Sequence, residues 1–370
     1  MPARNGELAS GESGRQCRGE ARLARTNGKR RPWNRRFVIR NVTVLGAGGW
    51  GTALAVHLAR IGHEAHLWAR DAALAADVHQ RRFNPVYLPE IRFPANVRVT
   101  ADLGDALNGS DLVIAAVPSH GTREVLRKAA PHIRRGATVV SATKGLEGNT
   151  LFRMSEVVEQ ECAPGTRVAV LSGPSFAIEL ARELPTAVSI ASRDPEVVER
   201  VQAEFRAPYF RLYGTDDVVG VEIGGALKNI IAIAAGVVEG LGLGHNALAA
   251  LTTRGLAEMS RLACAAGAKR ETLSGLTGLG DLVLTCTGHL SRNRHVGMEL
   301  ASGRALQDVL GGMKMVAEGV RTTEAALALA ARYGVELPIA AQVAELLNGR
   351  KDARTALSEL MIRPQKAEVG

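Results

Sequence analysis

Two lysines stand where an ammonium group could act on a neighbouring molecule. Lys144 follows the β-branched run 138–142 in Thr143-Lys144-Gly145, and Lys228 is the lone lysine of the nearly apolar stretch 221–236. On a 3.6-residue period Gly224, Gly225, Lys228, Ala232 and Ala235 share a helix face with almost no bulk, so another group can approach that amine. An amine withdrawn from water loses part of its preference for the charged form, which poises Lys228 for proton exchange with an alcohol or carbonyl oxygen. Asp281, in Gly278-Leu279-Gly280-Asp281, is a carboxylate between a flexible turn and an apolar run. It either caps a helix or binds a substrate hydroxyl and holds a cationic base in place. Ser291-Arg292-Asn293-Arg294 precedes the helix-like stretch 295–303, with Ser291 as the N-cap. An Arg at a helix start opposes the macrodipole unless an anion arrives there, so Arg292 with Asn293 is a candidate phosphate clamp.

What such groups act on is suggested near the start of the chain. The apolar run 42–45 enters Gly46-x-Gly48-x-x-Gly51, and the helix-like stretch 52–60 follows. In that context Gly46 permits a tight turn, Gly48 lets the backbone approach a pyrophosphate, and Gly51 lets helix pack on strand. The anion sits on free N–H groups at the positive end of the helix. A second strand, residues 65–68, ends at Arg70-Asp71 about twenty residues further on, where an acid binds the ribose 2′-hydroxyl and an Arg accommodates a 2′-phosphate. Both residues are present, so both NAD and NADP remain open. His63-x-x-His66 straddles a turn and a strand, His289 and His295 lack a carboxylate at helical spacing, and no metal site is expected. Ser172 and Ser175 lie in a glycine-proline turn without the nucleophile-elbow spacing, which argues against acyl transfer.

These groups need a scaffold of two domains. A chain of 370 residues with 46% hydrophobic content exceeds one typical core. From residue 42 to about 215, the runs 42–45, 65–68, 112–117, 138–142, 168–171 and 187–191 alternate with helical patterns, predicting a parallel sheet covered on both faces. In such sheets ligands lie outside the carboxyl ends of the strands. Beyond about Asp217 the segments 246–266, 294–303, 321–333 and 339–348 carry Ala and Leu at helical spacing, predicting an all-helical second domain. The reading is α/β: a Rossmann-type dinucleotide-binding domain over 41–217, a helical substrate domain over 218–362 and a short tail over 363–370.

The net charge of +9 hints at nucleic acid until it is located. Residues 1–40 hold eleven Arg or Lys against three Glu, while the remaining 35 basic and 34 acidic residues nearly cancel. A phosphate-backbone footprint needs basic residues gathered on a folded face, so no specific nucleic-acid partner is expected. Residues 1–40 read as a disordered basic extension without the apolar core of a secretory signal, and Glu7, Glu12 and Glu20 oppose a transit peptide. Cys17, Cys162, Cys264 and Cys286 show no paired spacing, which fits a reducing cytoplasm. No apolar run is expected to cross a bilayer. The residues alone leave open a dehydrogenase for some two-domain substrate class, such as a β-hydroxyacid held by the Arg, and a nucleotide-binding sensor without catalysis.

Taken in order, 46–55, 142–147, 171–177, 224–229, 278–287 and 291–294 closely resemble bacterial NAD(P)-dependent sn-glycerol-3-phosphate dehydrogenases. The resemblance runs from about residue 41 to 362. It implies a cytoplasmic enzyme, able to form a homodimer, that interconverts dihydroxyacetone phosphate and sn-glycerol 3-phosphate by hydride transfer and supplies the latter for phospholipid synthesis. By resemblance, Lys228 exchanges the proton, Lys144 contacts cofactor and substrate, and Gly173, Ser175, Asp281, Ser291, Arg292 and Asn293 surround the substrate. Gly46, Gly48, Gly49, Trp50, Gly51, Arg70, Tyr87, Ala177, Arg292, Val316 and Glu318 are the implied cofactor positions. Gly49 replaces a more usual Ser and Ala317 a common Val; the first removes a hydroxyl from the pyrophosphate but leaves the backbone donor.

Overall fold

The β-branched runs become strands of one eight-stranded sheet in the computed structural model, which describes residues 40–313 and 316–364. The strands are β1 (Asn41–Leu45), β2 (Glu64–Trp68), β3 (Val97–Thr100), β4 (Leu112–Ala115), β5 (Thr138–Ser141), β6 (Arg167–Ser172), β7 (Thr186–Ala191) and β8 (Phe210–Thr215), in the order β3-β2-β1-β4-β5-β6-β7-β8. Helices α1 (Gly49–Arg60), α2 (Ala72–Arg81), α3 (Leu103–Leu107), α4 (Ser119–Ala129), α5 (Met154–Glu161), α6 (Ala177–Ala181) and α7 (Pro195–Glu204) accompany them. Successive side chains of β1 point to opposite faces, so Val44 joins Leu54 and Leu58 in one apolar layer and Leu45 joins Leu126 and Val157 in the other. Strands β4 and β5 are buried throughout, as strands covered on both faces must be.

Three features depart from the sequence reading. The sheet is not wholly parallel, because β6 and β7 pair antiparallel. Their connection, residues 173–185, holds only the five-residue α6, about 7.5 Å long, in place of the strand-length helix that carries a parallel crossover back over roughly 20 Å. Strands β3 and β8 were not anticipated. Both lie at sheet edges and alternate, with Phe210 and Leu212 buried and Arg211 and Tyr213 exposed, so neither makes a continuous apolar run. Third, among the described residues one helix is long and apolar enough by composition to cross a bilayer, although 94% of its apolar window is buried inside the protein.

That helix is α8 (Val218–Gly240), started by Asp217, whose carboxylate accepts from the Gly220 N–H at 2.8 Å. Around it follow α9 (Gly244–Ala265), α10 (Arg270–Ser274), a π-helical turn Leu276–Gly280, α11 (Asp281–Thr287), α12 (Arg292–Ala301), α13 (Leu306–Gly311), α14 (Glu318–Arg332), α15 (Pro338–Leu347) and α16 (Ala353–Met361). Helix α8 is apolar all round because α9, α11, α12 and α14 enclose it, which is the soluble-core alternative to a membrane span. Its small residues set how near the neighbours come. A Cβ on Gly225 would stand 2.5 Å from Ser172 Oγ at the end of β6, so this glycine brings the helical domain against the carboxyl edge of the sheet. The basic extension expected over 1–40 lies, apart from Arg40, outside the described residues, as does most of the 363–370 tail.

Candidate active site

The glycine turn leaves β1 at Gly46, whose φ of 113° belongs to the left-handed region that favours glycine. A Cβ on Gly51 would stand 1.9 Å from the Gly46 carbonyl oxygen, so only glycine lets α1 start so close to the strand. A Cβ on Gly48 would meet nothing within 4 Å, which leaves open space in front of the turn. Helix α1 has no side-chain cap and no acidic residue in its first turn, so its leading N–H groups face that space. Those features fit a dinucleotide pyrophosphate. The turn lies where strand order reverses, with β1 between β2 and β4. Gly49 and Trp50 open α1, and Trp50 packs partly against the apolar layer. Asn84, which the sequence reading missed, donates to the Ala47 carbonyl at 2.9 Å and accepts from the Tyr87 N–H at 3.1 Å. It thereby holds Tyr87 beside the turn. Ala177 begins α6, which packs on α1. Arg70 is exposed after the end of β2, while Asp71 caps α2 by accepting from the Ala73 and Leu74 N–H groups at 2.8 and 3.0 Å.

The two lysines meet at one carboxylate. Lys144 Nζ lies 2.6 Å from Asp281 Oδ2 and donates to the Gly173 carbonyl at 2.9 Å. Lys228 Nζ lies 3.1 Å from Asp281 Oδ1 and donates to Thr285 Oγ1 at 2.7 Å. Asp281 is only 1% exposed, and it opens α11 without capping it, so the capping alternative is replaced by the ionic one. Thr285, one helical turn later, donates its O–H to the Asp281 backbone carbonyl at 2.6 Å. The sequence reading missed Thr285, although its i+4 spacing from Asp281 on an expected helix was the available signal. Burial drives the Lys228 pKa down to about 8; Asp281 opposes the fall and Lys144 adds to it. An ammonium has three N–H groups. Two on each lysine are engaged by these partners, which leaves one on each for a substrate.

Around this cluster the remaining positions divide. Gly173 bends the chain after β6 at φ 138°, and Ser175 donates to its carbonyl at 2.9 Å, beside Lys144. Ser291 caps α12, as expected, accepting from the Arg294 N–H at 3.3 Å. Asn293 donates to Asn229 Oδ1 at 2.9 Å and accepts from the Gly319 N–H at 2.9 Å, so it ties the residue after Lys228 to α14. Arg292 is exposed and donates to the Val316 carbonyl at 2.7 Å, which places it with Val316 and Glu318. Glu318 reaches the sheet domain, where its carboxylate accepts from the Ser119 N–H at 3.1 Å and from Ser119 Oγ at 2.7 Å. Ser119 follows a strand end, where the sheet places ligands, and Asn229 adjoins Lys228, but their pairings with Glu318 and Asn293 carried no sequence signal.

A nucleotide turn on a mostly parallel sheet, with a lysine–aspartate–lysine cluster built where that sheet meets a helical domain, defines a two-domain dinucleotide-dependent dehydrogenase. The family model described as the NAD-dependent glycerol-3-phosphate dehydrogenase N-terminus matches residues 41–198, and the corresponding C-terminus model matches 217–358. The chain belongs to this family. A relative from Koribacter versatilis called glycerol-3-phosphate dehydrogenase (NAD(P)+) is 52% identical over 332 residues, covering 89% of this chain and 98% of the relative. One of the same name from Myxococcus xanthus is 52% identical over 330 residues, covering 88% and 98%. The crystal structure of glycerol-3-phosphate dehydrogenase from Coxiella burnetii is similar with a TM-score of 0.85 at 40% identity, covering 88% of this chain and 99% of that one.

Proposed function

We propose that this enzyme interconverts dihydroxyacetone phosphate and sn-glycerol 3-phosphate, with Lys228 as the acid and base. The observation that carries the reading is the convergence of Lys144 and Lys228 on buried Asp281 beside the carboxyl edge of a dinucleotide-binding sheet. The nicotinamide cofactor, when bound, supplies the hydride that reduces C2. Negative charge then grows on the C2 oxygen. Lys228, lowered to about 8, gives up a proton near neutral pH far more readily than an ordinary lysine, and its free N–H is the one available to that oxygen. Lys144 stabilises the developing charge with its own remaining N–H. Asp281 holds both amines in place and keeps Lys228 protonated enough to donate. Arg292, with the backbone N–H groups of Arg292 and Asn293 at the start of α12, where no acidic residue stands, holds the phosphate ester and aligns the ketone, while the Asn293 side chain stays engaged by Asn229 and Gly319. With Asp71 engaged as the cap of α2, Arg70 is the side chain left to meet a 2′-phosphate, which favours NADPH over NADH.

The free state of Cys162, Cys264 and Cys286 supports a cytoplasmic setting, where the product would serve phospholipid synthesis. Steady-state oxidation of NADPH and NADH with dihydroxyacetone phosphate tests the reading. Turnover is expected with a lower KM for NADPH. The reductive rate should fall as pH rises through about 8, because the donor amine loses its proton there, and the oxidative rate should rise through the same value. No turnover of this ketone, or a reductive profile without an alkaline limb, would remove the proposal.

A further inference from the structure

Lys144 is carried by the loop between β5 and α5, a stretch without regular structure, yet its amine must stay on a carboxylate of the other domain. Two anchors tie that loop to α8. Leu146, two residues after Lys144, is 3% exposed and packs in the helical domain's apolar cluster with Ile223 and Leu227. Arg153, at the far end of the loop, pairs with Leu146 through a backbone bridge, so the two ends move together. The Arg153 guanidinium donates to Glu222 Oε2 at 3.0 Å. Glu222 also accepts from the Ser155 N–H at 2.7 Å and from Ser155 Oγ at 2.6 Å.

Glu222 stands on α8 six residues before Lys228, about 9 Å along the axis. Its side chain is 2% exposed, and none of its hydrogen bonds reaches Lys144, Lys228 or Asp281. A carboxylate buried this deeply is costly unless its partners satisfy it. Burial pushes its pKa up, and the Arg153 charge and Ser155 donors oppose that rise. Its three bonds all go to the segment that ends the Lys144 loop.

We propose that Glu222 is a positioning residue for the reaction: by gripping Arg153 and Ser155 it holds the β5–α5 loop so that Lys144 stays on Asp281 beside Lys228. The inference rests on the acid–base reading of Lys228 and adds a residue that touches neither substrate nor cofactor. It has a signed consequence. The groups that face Lys228 are Asp281 and Cys286 from α11 and Lys144 from the loop, and among them Lys144 is a cation that depresses the Lys228 pKa. If Lys144 drifts off, that depression is relieved and Asp281 acts on Lys228 alone, so Lys228 should titrate at higher pH.

The test is Glu222→Gln in the full chain, read by kcat, by cofactor affinity from fluorescence titration, and by the reductive pH profile. The expected result is a fall in kcat of about tenfold or more, unchanged NADPH affinity and an alkaline limb displaced to higher pH. Ser155→Ala, which removes one of the three bonds, should move both readouts in the same direction by less, and it serves where Glu222→Gln does not fold. A variant with lowered thermal stability but wild-type kcat and limb would overturn the inference, leaving Glu222 a structural clamp. If the wild-type enzyme shows no alkaline limb at all, the Lys228 reading fails instead, so the two failures are distinct.

Discussion

At Lys228 three influences compete, and their order decides the chemistry. Burial favours the neutral amine, Asp281 favours the charged one, and Lys144 sides with burial; the outcome is a group near pH 8 that can both give and take a proton. An exposed lysine would hold its proton too firmly to donate it at neutral pH, and one buried without Asp281 would hold too few. Arg292 illustrates a different residue-scale effect. Its side chain lies at the surface, yet its guanidinium is desolvated enough for burial to lower its pKa, and the Val316 carbonyl holds it at the start of α12, where N–H groups and a cation together suit an anion. Arg292→Ala should therefore raise the KM for dihydroxyacetone phosphate by an order of magnitude or more, in line with a charge-assisted bond of about 1.5–3 kcal/mol. The KM for unphosphorylated dihydroxyacetone should barely move. Equal effects on the two ketones, measured side by side, would dissolve the phosphate clamp.

Among the elements, α8 contributes through what it lacks. The small face around Lys228 lets β6 and the Lys144 loop close on it, since a Cβ on Gly225 would meet Ser172 Oγ at 2.5 Å and Lys144 Cγ at 3.6 Å. Gly225→Val should push both away. The expected outcome is a loss of about 1–3 kcal/mol of stability from overpacking, seen as a lowered Tm, together with a loss of turnover at temperatures where the variant is fully folded. Wild-type turnover with only the Tm lowered would mean that the spacing between α8 and the sheet is not critical. This small-residue face was legible in the sequence because Gly224, Gly225, Lys228, Ala232 and Ala235 follow a helical period. The inner strands were legible for a similar reason, being β-branched runs buried on both faces. Strands β3 and β8 were not, because an edge strand alternates and its pairing depends on a neighbour distant in the chain. The antiparallel turn from β6 to β7 was hidden by a connection whose shortness shows only once α6 is seen to be five residues long.

Across the whole molecule, the site exists only where the two domains meet. Lys144 comes from the sheet domain, Lys228 and Asp281 come from the helical one, and Glu318 reaches back from α14 to the start of α4. The sequence displayed the three members of the cluster, since Lys144, Lys228 and Asp281 each stood out against small or apolar surroundings. Their supporting partners were far less visible: Ser119 and Glu222 owe their roles to contacts across the domain boundary and Asn229 to one between α8 and α12, and no spacing within one segment encodes those. The proposed reaction turns on the amine of Lys228 moving the proton. Turnover of Lys228→Ala, measured with dihydroxyacetone phosphate and NADPH alongside cofactor affinity, tests it most directly. The expected outcome is a fall in kcat of about 10²-fold or more with cofactor affinity at the wild-type value; a variant that keeps more than about a tenth of wild-type kcat would remove Lys228 from the acid–base role.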